Sequence, residues 1–185
     1  MIYPIVAYGD PVLKKVAQPI DKNSSLDIKK LAEDMFETMY QAKGVGLAAP
    51  QIGMSIRMFV IDAEALDDED EKLKGMKKVF INAQMLEETG EEWAFEEGCL
   101  SIPGIRGDVE RKDKITIRYN DLDWNEHTET YEGLAARVIQ HEYDHIEGKL
   151  FIEYLAPVKK QVIKNKLTGI AKGIVKVDYR MKFVK

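Results

Sequence analysis

Apolar residues recur at intervals of three and four through Ile28, Leu31, Ala32, Met35, Phe36 and Met39, the period that lays one apolar stripe along an α-helix. Ser24 or Ser25 stands where a helix cap is favoured, so the spacing predicts a helix from there to about Ala42, ended by Gly44-Val45-Gly46. Upstream, Asp10-Pro11 reads as a cap followed by proline at the first helical position, opening a short turn over 12–16. Apolar runs at 57–61 and 79–82 predict strands, and those at 114–119 and 126–131 predict a hairpin around 120–125. Helical spacing returns over 133–147, with Gly148 placed to stop it. A second, basic helix is expected over 157–167, and after Gly169 apolar and polar residues alternate as in an edge strand or extended tail. No repeat or linker-like stretch breaks the pattern. Residues 1–185 are therefore expected to form one α+β domain, with mostly antiparallel strands around a central helix, then a C-terminal helix and an extended tail.

Composition adds mainly exclusions. Hydrophobic residues at 45% and charged residues at 32% give the balance of a globular chain with a sizeable core. No apolar run is long enough to span a bilayer and no leader pattern opens the chain, so a cytoplasmic protein is expected. The net charge of −5 argues against a surface built wholly to bind polyanions. Its distribution is uneven, however: residues 156–185 carry nine Lys/Arg and one acid, Asp178, for +8, which leaves −13 on the rest. Within that acidic body, 67–72 is a near-continuous acidic run, read as a solvated loop in preference to an interaction site. With one cysteine, Cys99, no internal disulfide can form, and the thiol is a packed group, a ligand or a nucleophile.

Candidate chemistry lies on the helix over 133–147. His141 and His145, at i and i+4, share one face and can reach one metal ion, while Glu142 sits about 100° round, able to touch the ion's water without being a ligand. Leu134 and Val138 continue the histidine stripe, and Ala135, Ile139 and Ile146 flank Glu142. The ionisable groups thus project from an apolar face, where burying them without a metal would be costly. Catalytic sites of this kind usually have three protein ligands. A third histidine after Gly148 is ruled out by Phe151, and the acids beyond His145 are few: Glu147, Glu153 and Asp178. Cys99, upstream beside Gly98, is the better candidate, since His127 lies in a polar hairpin.

Three segments then stand in order: Gly44-Val45-Gly46-Leu47-Ala48-Ala49-Pro50-Gln51-Ile52-Gly53, Glu97-Gly98-Cys99-Leu100-Ser101, and Gln140-His141-Glu142-Tyr143-Asp144-His145. Together they closely resemble the three signature motifs of the bacterial-type peptide deformylase family, and the resemblance covers essentially the whole chain. It implies one divalent metal ion on Cys99, His141 and His145, natively Fe2+, with Zn2+ or Ni2+ as alternatives that the residues do not separate. It implies removal of the formyl group from formyl-methionine at the start of new polypeptides. A metal-bound water would attack the formyl carbon and Glu142 would serve as general acid/base. Gln51 and the Leu100 N–H would donate to the oxyanion.

By the same resemblance, Val45, Gly46, Phe95, Leu134, Val138 and His141 would line the methionine pocket, and the backbone of Gly44, Gly46 and Gly98 would contact an extended peptide. Phe95 stands where a smaller aliphatic residue is common, and Arg137, bulky and charged, is expected at the pocket rim. Glu97 and Arg111 match a pair that braces the Cys99 loop. The basic C-terminal helix matches one that docks on the ribosome, although a solvated basic face would look the same. A monomer is expected. Three rival readings remain: another metallohydrolase, such as an internal-bond peptidase, which would not need Gln51; a different class altogether, a structural metal site in a ribosome- or RNA-binding protein, which would need a fourth ligand; and an inactive member of the family, although no signature residue is missing.

Overall fold

The computed structural model describes residues 1–66 and 71–185; most of the acidic run thus lies outside the described residues. An antiparallel sheet in the order β2-β3-β4-β5-β6 organises the α+β fold. Its strands are β2 (Gly46–Ala48), β3 (Met58–Asp62), β4 (Lys77–Cys99), β5 (Ile102–Asn120) and β6 (Glu126–Glu132). A separate pair joins β1 (Ile5–Val6) in parallel to β7 (Met181–Lys182).

Helix α1 (Ile28–Gln41) buries Ile28, Leu31, Ala32, Met35 and Met39, the stripe its spacing predicts. Its cap is Asp27, not Ser24 or Ser25: the Asp27 carboxylate accepts from the Lys30 N–H at 3.0 Å. The serines fall in the preceding turn, where the Ser24 N–H bonds the Asp21 carbonyl at 3.0 Å, too far from the first buried residue to serve the helix. Upstream, Asp10 caps the 3-10 helix Pro11–Lys14, as its sequence predicts, by accepting from the Val12 N–H.

The largest departure from expectation is the length of β4 and β5, which extend the strand at 79–82 and the hairpin arm at 114–119 into one long ribbon. Residues 86–92 of β4 are exposed on both faces, so no inside-outside alternation marks them. A register shift between Gly98 and Cys99 ends β4; such a bulge re-aims the side chains that follow it.

Helix α2 (Gly133–Ile146) packs on β2, β3, β5 and β6. Ala136, Ile139 and Ile146 are fully enclosed, and each isoleucine contributes about 1.5–3 kcal/mol on burial. That apolar anchoring sinks the neighbouring His and Glu side chains with it. The helix stops at Gly148, whose φ is +72° and where a Cβ would stand 2.7 Å from the Lys14 carbonyl oxygen; only glycine fits.

Helix α3 (Pro157–Ala171) runs one turn beyond expectation because Ile170 as well as Ile163 is buried against the body. Its Lys159, Lys160, Lys164 and Lys166 are exposed. Beyond it the chain is extended, with Val175, Val177 and Tyr179 half-buried and Lys176 and Asp178 exposed. Only Met181–Lys182 joins a strand pair. Among the described residues no helix is long and apolar enough to cross a membrane.

Candidate metal centre

The end of β4 and the inner face of α2 bring Cys99, His141 and His145 together, with their ligand atoms all within 4.8 Å of one another. Cys99 Sγ lies 3.5 Å from His145 Nε2. His141 Nδ1 is engaged by the Glu97 carboxylate at 2.8 Å, which leaves its Nε2 as the nitrogen available to the cluster. An outer carboxylate of this kind fixes the tautomer and orientation of a ligating imidazole.

Glu97 is itself held from three sides. Arg111 donates Nε and Nη2 to it at 2.7 and 3.0 Å, and Arg137 donates Nη1 at 2.8 Å. Arg111 continues to Asp144 at 2.8 Å. Burial pushes the Glu97 carboxyl up, but the hydrogen bonds from His141 and Arg111 outweigh it and hold the group well below the usual carboxylate range. Glu142 feels the opposite balance: burial pushes it up to about 7. Burial also drives His145 well below the ordinary histidine value, so it stays neutral, the form that ligates a metal.

The donor set fits a divalent metal ion. One thiol and two imidazoles suit several first-row metals, and three protein ligands leave a fourth position open. The buried Oε2 of Glu142 has no hydrogen-bond partner among the described residues. An ion with its water would supply one.

Gln51 reaches the cluster from the 3-10 helix Ala49–Ile52. Its Oε1 accepts from the Ala48 N–H at 3.0 Å; because that partner can only donate, the amide NH2 must face the other way. It stands 3.4 Å from Cys99 Sγ and 3.3 Å from Ser101 Oγ. A donor is therefore aimed at the metal side, next to Leu100. Gly46 leaves no room for a side chain beside Glu142: a Cβ there would lie 2.5 Å from Glu142 Oε1.

These residues open into a cleft of about 980 Å³. Gln51, Cys99, Leu100, His141 and Glu142 line it, as do Gly44, Val45, Gly46 and Gly98. Phe95, Leu134 and Val138 form its more apolar side. His145 lies behind this wall, only 1% exposed. His127 is absent from the cluster and pairs with Asp121 at 2.7 Å.

Arg137 corrects the rim expectation. Its side chain is 2% exposed, and besides Glu97 it donates to the carbonyls of Val109 at 2.7 Å and Trp93 at 2.6 Å. Its guanidinium lies 4.6 Å from the Trp93 ring and 5.7 Å from Phe95. The unusual Phe95 is thus one plate of a cation–π stack beside the cleft. Sequence reasoning missed three further features: the Glu97–His141 bond, the Ser101 hydroxyl, and the wall made by Lys176, Val177, Asp178 and Tyr179. The alternation after Gly169 was the one trace of that wall.

Comparison with known proteins gives a consistent result. The family model described as polypeptide deformylase matches residues 2–161. The chain is 61% identical over 183 residues to a peptide deformylase of Cytophaga hutchinsonii, covering 99% of this chain and 98% of that one. It is 58% identical over 190 residues to one of Christiangramia forsetii, covering 99% and 96%. Among solved structures, the peptide deformylase from Thermus thermophilus superposes with a TM-score of 0.81 at 40% identity, covering 94% of this chain and 99% of that one.

Proposed function

The chain belongs to the polypeptide deformylase family of hydrolases, and from that premise we propose that it removes the N-terminal formyl group from formyl-methionine of newly made polypeptides in a metal-dependent reaction. The observation that carries this reading is the convergence of the Cys99-His141-His145 cluster, the Glu142 carboxyl and the Gln51 amide on one cleft.

Cys99, His141 and His145 would hold one divalent ion, iron(II) in the cell, with zinc or nickel able to replace it. When bound, the ion lowers the pKa of a water molecule and polarises a carbonyl oxygen. Glu142 takes the proton of the attacking water and passes it to the departing amine. Its place beside the cluster, with one carboxylate oxygen buried and without a protein partner, suits it to both steps. The Gln51 amide and the Leu100 N–H donate to the oxygen that becomes negative as the formyl carbon turns tetrahedral. The C–N bond breaks, releasing formate and a free amino terminus.

Val45, Phe95, Leu134 and Val138 would enclose the methionine side chain, with Gly46 as the thin edge of that pocket. The backbone of Gly44, Gly46 and Gly98 would hold the peptide without reading its side chains. We also propose that the exposed lysines of α3 dock the enzyme on ribosomal RNA in the cytoplasm, near its nascent substrates.

The test is formate release from a formyl-Met peptide by the nickel- or iron-loaded chain. Glu142→Gln should keep the metal and lose about 10²–10⁴ in rate. Gln51→Leu should lose about 10²–10³. Full activity in either variant would overturn the assignment of that residue, and failure of the loaded wild type would overturn the function.

A further inference from the structure

Between α3 and β7 an extended segment forms a strap along one wall of the cleft. It is tied at one end by the Ile174 N–H on the Gly169 carbonyl at 2.8 Å. At the other, the Ile5 N–H bonds the Arg180 carbonyl at 2.8 Å and the Ala7 N–H bonds that of Lys182 at 2.9 Å. Held at both ends, Lys176, Val177, Asp178 and Tyr179 become part of the cleft wall. Alternation sets which side chains turn inward: Val175, Val177 and Tyr179 are half-buried, and their even-numbered neighbours are exposed. Asp178 on the outer side pairs with Lys43 at 2.8 Å, joining the strap to the loop that leads into Gly44.

Tyr179 makes the contact with consequence. Its hydroxyl donates to the Leu100 carbonyl at 2.7 Å. Leu100 sits in the short turn between β4 and β5, outside both strands. In that turn, the next carbonyl, of Ser101, accepts from the Tyr8 N–H at 2.8 Å. The carbonyl and the N–H of Leu100 lie in adjacent peptide planes that turn about φ and ψ at one Cα; with Cys99 and Ile102 paired at the ends of the turn, anchoring the carbonyl plane narrows the range open to the N–H plane.

We infer that Tyr179 is a positioning residue for the oxyanion site, holding Leu100 by its carbonyl so that its N–H keeps its aim on the reacting oxygen. The inference rests on the deformylase reading above. It also assigns work to a segment beyond residues 2–161, the part matched by the family model.

The test compares the metal-loaded wild type with Tyr179→Phe, which removes only the hydroxyl. The variant should lower kcat on a formyl-Met peptide about 3- to 10-fold, as expected for a loosened but retained donor. KM should stay within about twofold, because phenylalanine keeps the ring that lines the cleft. Amide exchange across 99–101, measured on the same samples, should speed up. Tyr179→Leu, which also removes the ring's packing, should show at least the same kcat loss. An unchanged kcat in an active preparation, or unchanged exchange across the turn, overturns the inference. A wild type that releases no formate would instead sink the deformylase reading, and the exchange rates would still decide whether Tyr179 anchors the turn.

Discussion

Replacing Glu97 should unfasten the centre, and the structure says by how much. Its two carboxylate oxygens accept four hydrogen bonds from His141, Arg111 and Arg137, and the side chains of all four residues are nearly enclosed. Truncating one partner of a buried ion pair costs about 3–5 kcal/mol. Here Arg111 retains Asp144 and Arg137 retains two carbonyls, so Glu97→Ala should fall near the lower end, about 3 kcal/mol. For a chain of this size that is a melting-point loss of about 6–12 °C. Glu97→Gln keeps the volume but offers one acceptor oxygen to four donors, and must turn its NH2 toward either His141 or Arg137. A misoriented His141 should weaken metal binding about 10- to 100-fold. Thermal melts of the metal-free proteins and chelator competition on the loaded ones measure the two effects separately. If Glu97→Ala melts within about 2 °C of wild type, and Glu97→Gln binds metal as tightly, the network does not support the centre and the reasoning fails.

Gly46→Ala should place a methyl 2.5 Å from Glu142 Oε1; a stability loss of about 1–3 kcal/mol with a falling kcat is expected, and denaturant titration with steady-state kinetics would check both. In the metal-free chain, Glu142 is raised from 4.5 to about 7, so the folded state holds a proton that the unfolded state releases. Its contribution to stability should therefore shrink as pH rises from about 4.5 to 7, a decline that melts of metal-free Glu142→Gln should lack. Charge reversal at Lys159, Lys160, Lys164 and Lys166 should abolish co-sedimentation with ribosomes, and in the wild type that binding should weaken steeply with salt. Binding indifferent to salt would point away from RNA phosphates.

Helix α1 buries one stripe and exposes the other face, so its 3.6-residue period was visible; α2 is buried nearly all round, and what disclosed it was the helical spacing of His141 and His145 with Glu142 beside them. Cys99 followed from the lack of any later ligand. What stayed hidden lacks a periodic imprint. Residues 86–92 of β4 face solvent on both sides, so the long ribbon left no alternation. Arg137 looked like a rim residue because its counter-charge, Glu97, is 40 positions away. Tyr179 meets Leu100 across 79 positions through one hydrogen bond, and a lone tyrosine in an alternating stretch gives no hint of that partner. The Asp27 cap was displaced from expectation by three polar candidates in four residues, which burial of Ile28 resolves.

The central claim is that this cleft takes a formyl group from a methionine and leaves the peptide behind it intact. Mass spectrometry of a formyl-Met peptide incubated with the loaded enzyme tests it most directly, because one substrate offers both the formyl bond and internal amide bonds. A single product is expected, the full-length peptide with a free amino terminus, formed with an equal amount of formate. Shortened peptides, with the formyl group still attached, would contradict it.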